Sequence, residues 1–225
     1  VNPVLRGSAA HVFVESLETP ELTDEDEHHL RRVLRIREND LVTLSDGVGS
    51  WVTARLTADG LSVASTPVFE SEPQTSVVLS AIPKADRPEW MVQKLTELGA
   101  TAIGFVDCAR SVVRWDEARA DRQMQRLGRI ARESAMQSRR VRLPKLLGVV
   151  PFGDVAASAT CAIADPDGGQ LTADLDTVLV GPEGGFTEGE LDSVTRRVTL
   201  SPNVLRVETA SLAAAFLLTQ RAQKT

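Results

Sequence analysis

The sequence predicts an α/β protein: a domain with a mostly parallel sheet over residues 75–225, preceded by a small β-rich module over residues 1–72. Two patterns and one break carry this prediction. From Val77 on, short apolar runs of strand length alternate with segments of helical periodicity, as strands joined by helical crossovers do. Before residue 70 the runs are short and joined by tight turns, which is the pattern of a compact barrel. Between them "FESEPQTS", residues 69–76, is polar and holds a proline, as a linker does.

In the first module, Val12 to Glu15 reads as a strand. Thr23, with Asp26 three positions on, resembles a capping box that opens a short helix through "EHHLRRVLR". "DLVTLSDGVGSWVTARLTADGLSVAS" then supplies three strands, with turns at Asp46-Gly47 and Asp59-Gly60. In the second domain "VVLSAI" is a buried strand and "PKADRPEWMVQKLTELGA" a helix. Asp86 is placed to cap it, Pro88 sits early in it, and Gly99 stops it. "TAIGFV" is the next strand, and a basic helix follows. "TCAIAD", "TVLVG" and "RVTLS" are further strands. "ETASLAAAFLLTQRAQ" closes the chain as a helix whose alanines and leucines demand burial.

A chain of 225 residues with 42% hydrophobic and 25% charged residues is ordinary for a soluble globular protein. It holds no apolar run of membrane-span length, and its first residues lack the order of a signal peptide. Cys108 and Cys161 have no metal-like spacing, so they read as buried reduced thiols in a cytoplasmic protein that needs no metal. The net charge of −6 conceals an asymmetry: residues 119–145 hold nine Arg or Lys against Asp121 and Glu133. Arg119, Arg122, Arg126 and Arg129 follow 3-4-3 spacing, which lines them along one helix face. Such a stripe is either a solvated face or a phosphate-facing patch; a solvated face normally interleaves both signs, and this one hardly does. Arg31, Arg32, Arg35 and Arg37 make a second basic cluster in the first module.

In open α/β sheets, ligands bind beyond the carboxyl ends of the strands. Two loops fit that position: "GPEGGF" after "TVLV", and "SPNVLRVETA" after "RVTL". The first has the glycines of a close backbone approach but neither the lysine and hydroxyl of a phosphate-binding loop nor the spacing of a dinucleotide site. Taken alone it is a turn as readily as a site. Glu183 is placed either to serve a ligand or to cap the helix at Thr187. The second loop brings Arg206 and Glu208 to the start of an apolar helix, where Glu208 is electrostatically favourable with or without a function.

Six segments in one order are more specific than any one. "HHLRRVLRIRENDLVTLSDG", "KADRPEWMVQKLTELGATAI", "ARSVVRW", "ESAMQSRRVRLPKL", "LVGPEGGFTEGEL" and "LRVETASLAA" together make the chain resemble the SPOUT superfamily. Within it the likeness is to the RsmE-type 16S ribosomal RNA (uracil-N3) methyltransferases, nearly end to end. The resemblance implies a PUA-like β-barrel for RNA binding over 1–72 and a trefoil-knotted methyltransferase domain over 75–225. It implies S-adenosylmethionine as cofactor, held by three loops: Ala164 and Asp165; Gly181, Pro182, Glu183, Gly184 and Gly185; and Leu200, Ser201, Asn203, Val204, Leu205, Thr209 and Ala210. Where the family usually carries glycine and arginine, this chain has Ser201 and Asn203, which puts the last loop's geometry in question.

The implied reaction methylates N3 of a uridine in the decoding region of 16S ribosomal RNA of the small subunit, by a homodimer. Arg206 is the candidate for stabilising charge on the uracil oxygens. Glu208 is the candidate base or proton relay, a helix cap, or the ion-pair partner of Arg206. Arg31, Arg32, Arg35, Arg110, Arg122, Arg126, Arg129, Gln137, Ser138, Arg139 and Arg140 are assigned to RNA. The competing readings are another SPOUT methyltransferase with a different target nucleotide, and a non-catalytic RNA-binding assembly factor. In the C-terminal helix, Leu212, Ala213, Phe216 and Leu217 form an apolar face for dimerisation, with Ala210, Ala214 and Ala215 permitting close helix approach.

Overall fold

A computed structural model describes residues 2–58 and 60–221. Asp59 of the predicted turn, and Ala222 and Gln223 of the predicted last helix, lie outside the described residues. The chain forms two compact units, Val1–Glu72 with Arg132–Leu143, and Pro73–Ala131 with Pro144–Thr225.

In the first unit, helix α1 (Pro3–Gly7) leads into β1 (Ala10–Phe13), two residues earlier than the pattern predicts. β1 pairs in parallel with β2 (Leu41–Ser45), which is antiparallel to β3 (Ser50–Thr57). β4 (Gly60–Val63) and the short β5 (Val68–Phe69) both pair with β3. The helix expected through "EHHLRRVLR" divides into α2 (Asp24–His28) and a π-helical turn, His29–Val33. Thr23 caps α2 by accepting from the Asp26 amide at 3.1 Å. The box stays incomplete, because the Asp26 carboxylate accepts the Thr23 hydroxyl and pairs with Arg132. Val12, Leu30, Val42, Leu44, Val52 and Ala54 are fully buried and form this unit's core.

Helix α4 (Glu117–Gln137) belongs to the second unit up to Ala131 and to the first from Arg132. Sequence alone assigned all of it to the second domain. Residues 132–143 are built into the first unit by directed bonds. Arg132 donates to both Asp26 oxygens, at 3.0 and 2.9 Å, and to the Phe13 carbonyl at 2.9 Å. Asp26 is 6% exposed in its side chain, and a carboxylate so desolvated is tolerated only with such pairing. Arg139 donates to the Ser8 carbonyl, Ser45 donates to the Val141 carbonyl, and Val141 packs with Leu5 and Trp51.

The second unit is a six-stranded parallel sheet in the order β11-β9-β10-β6-β7-β8. Its strands are β6 (Val77–Ser80), β7 (Ala102–Asp107), β8 (Lys145–Pro151), β9 (Cys161–Gly169), β10 (Thr177–Val180) and β11 (Arg197–Val198). β8 is absent from the sequence prediction. It is an edge strand, half-buried along most of its length, so it lacks the continuous apolar run of its neighbours. The helices are α3 (Arg87–Glu97), the first part of α4, α5 (Phe152–Ala156), α6 (Glu188–Ser193) and α7 (Val207–Gln220). Asp86 stands at the α3 N-cap, but its side chain makes no capping bond.

Strand alternation sorts the core onto the two faces of the sheet. Val78, Ile103, Phe105, Val178 and Val180 pack with α3, α4 and α7 residues. Leu79, Val106, Ile163 and Leu179 pack with α5 and α6 residues. Burial pushes the thiols of Cys108 and Cys161 up to about 12, so both are inert at neutral pH. No helix of the described residues is long and apolar enough to cross a membrane, and they contain no His, Cys, Asp and Glu cluster able to hold a metal ion.

From β6 the chain adds β7 and β8 on one side, then returns to place β10 and β9 on the other. The direction of winding therefore reverses beside β6, and ligand crevices open at such reversals.

Candidate active site

A cleft of about 400 Å³ opens next to it, beyond β9 and β10, within the second unit. Its walls are the second half of β9, the turn that follows β10, and the segment between β11 and α7. It brings together every residue assigned to the cofactor except Gly184 and Thr209, and adds Arg206. Ala164 and Asp165, expected at a strand end, lie inside the longer β9. Pro166, Val180, Phe186, Thr199 and Val207 also line the cleft. Each adjoins a predicted residue in sequence, which was the available signal.

The glycine turn is built by three constraints. The Gly185 amide donates to the Pro182 carbonyl at 2.8 Å, and Gly185 has φ +69, a left-handed conformation that side chains disfavour. A Cβ on Gly181 would stand 2.8 Å from the Phe186 ring, so the ring fits only because that side chain is missing. Arg110 donates from Nη1 to the Gly184 and Phe186 carbonyls, at 3.1 Å each. Arg110, assigned to RNA from sequence, is thus a brace of this turn. Glu183 does not cap α6. Thr187 and Glu190 form a complete capping box there, and Glu183 pairs with Lys84 at 3.7 Å.

Ser201 resolves the question raised by the missing glycine. The left-handed non-glycine residues among those described are Arg35, Asn39, Ala85 and Arg139, so Ser201 makes its turn without that strain. Its hydroxyl accepts from the Asn203 amide at 3.1 Å, closing the bend locally.

Arg206 and Glu208 do not pair. Arg206 is exposed at the N-cap of α7 and faces the cleft. Glu208 is buried, and its carboxylate lies 3.3 Å from Arg87 Nη1. Nor is Glu208 the cap of α7, since no side-chain bond caps that helix.

The residues assigned to RNA divide by what they already hold. Arg31 pairs with Glu27 at 2.9 Å and donates to the Thr57 carbonyl, and Arg126 pairs with Glu89 at 2.9 Å. Ser138 donates to the Ser134 carbonyl, and Arg139 donates to Ser8 as described. Arg140 is desolvated enough to pull its guanidinium down to about 10, and its carbonyl bonds to His11. Arg32, Arg35, Arg122, Arg129 and Gln137 are exposed. The predicted stripe is therefore real on α4, but one of its members already carries a carboxylate.

The order along the chain, a β module followed by a parallel-sheet domain, is that of an RNA methyltransferase with an N-terminal PUA domain. The RNA methyltransferase domain model matches residues 70–219, and the RNA methyltransferase PUA domain model matches residues 22–63. The chain belongs to the family of ribosomal RNA small subunit methyltransferase E. It is 30% identical to the Bacillus subtilis protein of that name over 88% of this chain and 89% of the relative. Identity to the Mycobacterium bovis protein of that name is 32%, over 89% of this chain and 87% of the relative. Among solved structures, the ribosomal RNA small subunit methyltransferase E of Neisseria gonorrhoeae, bound to S-adenosyl methionine, superimposes with a TM-score of 0.77. That match is 28% identical and covers 92% of this chain and 94% of that one.

Proposed function

We propose that this chain transfers the methyl group of S-adenosylmethionine to N3 of a uridine in the decoding region of 16S ribosomal RNA, acting on the small subunit as a cytoplasmic homodimer. The observation that carries the reading is the cleft, which gathers the glycine turn, the β9 end and the pre-α7 loop at one sheet edge. A relative of the same family is bound to S-adenosyl methionine.

The residues fit that cofactor in kind. The volume lies within the roughly 300–1,000 Å³ of small-molecule sites. Val204, on the wall, is 92% exposed, an apolar side chain that a bound ring would cover. Pro182, Val180 and Leu205 continue that apolar wall, and Asp165 and Glu183 offer carboxylates for a cationic group. Bound here, the cofactor supplies an electrophilic methyl on a sulfonium.

The protein's own share is to place N3 in line with that methyl and to manage one proton and one charge. N3 lies on the Watson–Crick edge, so the base must be unpaired and splayed out. Alignment alone removes much of the barrier. Arg206, exposed at the cleft, is assigned to the charge that develops on the uracil oxygens as N3 gives its proton to solvent water and takes the methyl from sulfur. The pair with Arg87 supports a positioning role for Glu208 at the start of α3. Arg32, Arg35, Arg122, Arg129 and Gln137 are assigned to the RNA backbone. We extend the proposal to the backbone path: a trefoil knot in the segment that walls the cleft, and a PUA-like barrel in the first unit. The return of β9 and β10 across β6 supports the first.

Calorimetry with S-adenosylmethionine, followed by mass spectrometry of small-subunit RNA treated with the protein, tests the reading. The expected product carries one methyl on uracil N3. A methyl on another nucleotide moves the chain to a different specificity, and absence of cofactor binding leaves an RNA-binding assembly role.

A further inference from the structure

We propose that a second cavity, separate from the cleft, is an RNA subsite for one unpaired nucleotide whose base carries an exocyclic amino group. This rests on the reading of the chain as an RNA methyltransferase. The cavity encloses about 310 Å³ in the second unit, between the start of α3 and the first turns of α4.

Its floor is Pro83, Pro88, Val113 and Trp115. The Trp115 ring is held edge-on to Phe105, with centroids 4.9 Å apart at 67°, so its attitude is set by the core and not by a ligand. A pre-oriented aromatic side chain beside polar groups can take an unstacked base. The polar groups around it are of three kinds. Arg126 is spent on Glu89 at 2.9 Å. Arg119 is exposed and, among the described residues, forms no ion pair, which leaves one cation for a phosphate. Gln123 and Asp86 also line the cavity, and among the described residues neither side chain has a hydrogen-bond partner. A carboxylate accepts but does not donate, so Asp86 suits the amino group of cytosine, adenine or guanine and repels a carbonyl edge. Gln123 offers one acceptor and one donor group beside it. Uracil offers Asp86 only its N3–H between two carbonyl oxygens, which makes it the poorer fit.

The cavity and the cleft have no lining residue in common, but ion pairs from the loop between β6 and α3 and from the start of α3 run toward the cleft. Ala85 and Asp86 line the cavity, Ala85 at φ 60, while their neighbours Lys84 and Arg87 reach Glu183 and Glu208. A nucleotide seated in the cavity would thus contact a loop whose neighbouring residues pair with Glu183, which lines the cleft, and with Glu208, which does not.

The test uses the full-length protein, labelled hexacytidylate and hexauridylate, and fluorescence anisotropy over a salt series. Wild type is expected to bind hexacytidylate several-fold more tightly. Gln123→Ala should lose several-fold in hexacytidylate affinity with an unchanged salt slope, since no charge is removed. Asp86→Ala should erase the preference for cytidylate. Arg119→Gln should weaken both oligonucleotides and flatten the slope by about one. Arg122→Gln, on the same helix but outside the cavity, should flatten the slope and leave the preference intact. Equal affinity of wild type for the two oligonucleotides, or Gln123→Ala binding as wild type does, would overturn the subsite. Methyl transfer by wild type is measured separately: its absence counts against the proposed function, while the binding ratios decide the cavity.

Discussion

The carboxylate of Glu208 lies 3.3 Å from Arg87 Nη1, while Arg206, two residues earlier, faces the cleft. Proximity in sequence suggested a pair that the helix start does not form. The two residues point into different surroundings, and their substitutions should separate accordingly. Glu208→Gln keeps an acceptor for Arg87 and removes a proton acceptor. It should retain kcat within roughly tenfold, while Glu208→Ala leaves Arg87 unpartnered and lowers both Tm and kcat. Arg206→Ala should lower kcat by about 10²–10³-fold at unchanged cofactor affinity, the size of a lost oxyanion donor. A loss of about 10²–10⁴-fold in Glu208→Gln with Tm intact would instead make Glu208 the general base.

The glycines of the turn are unequal, and alanine substitution should rank them. Gly185 at φ +69 gains roughly 1–2 kcal/mol of strain with a side chain. Gly181 places a Cβ 2.8 Å from the Phe186 ring, which must move into the cleft wall. A Cβ on Gly184 meets Arg110 Cβ at 3.5 Å, an ordinary contact. Calorimetry should show S-adenosylmethionine affinity falling for Gly181→Ala and Gly185→Ala and nearly unchanged for Gly184→Ala. Equal losses at all three would mean that the turn's backbone, not its clearance, sets the site.

Much of this was legible because strand and turn chemistry are local. "TVLV" followed by "GPEGGF" announces a buried strand and a close-approach turn within ten residues, and the parallel sheet places the turn at a ligand edge. What was not legible is decided by partners far along the chain. Arg132 reads as one more basic residue of the segment 119–145 until Asp26, 106 positions away, is seen to hold it. Arg110 bonds to carbonyls of residues 184 and 186, which carry no sequence signal for a donor. Ala210, Ala214 and Ala215 suggested close approach between helices of two copies. The structure corrects this: they pack into the core of their own unit. β8 was missed because an edge strand needs no full apolar run.

Buried His11 should make the protein acid-sensitive. Its ring is 2% exposed, and it bridges the Thr43 hydroxyl and the Arg140 carbonyl at 2.9 Å each. Burial, with a smaller push from the Arg139 guanidinium, lowers its pKa from 6.5 to about 4. The unfolded chain therefore binds a proton that the folded one refuses between those values. Stability is full above pH 6.5 and declines as the pH falls toward 4, by a total on the order of 3 kcal/mol from this residue. Urea titrations from pH 7 to 4 should show that slope, and His11→Gln should flatten it. An equal slope in both would assign the acid sensitivity to the carboxylates.

Phe216 on α7 is 51% exposed, and Leu212, Ala213 and Leu217 beside it in sequence are half-buried. With Ala210, Ala214 and Ala215 turned into the core, these four are the apolar residues that the helix leaves partly or wholly uncovered. A contiguous apolar face is a better interface signal than a lone exposed aromatic, and a second copy would cover this one with the same face of its own helix. We expect the active protein to be a homodimer that pairs through this face. Phe216→Glu should leave Tm close to wild type, because the residue makes no part of the buried core, and should yield a species of 24.3 kDa instead of twice that mass. If each site is completed by its partner, that monomer should also lose methyl transfer. Sedimentation velocity run beside the transfer assay decides both points. A wild-type protein that sediments as a monomer with full activity would show that one chain is sufficient and that Phe216 is exposed for another reason.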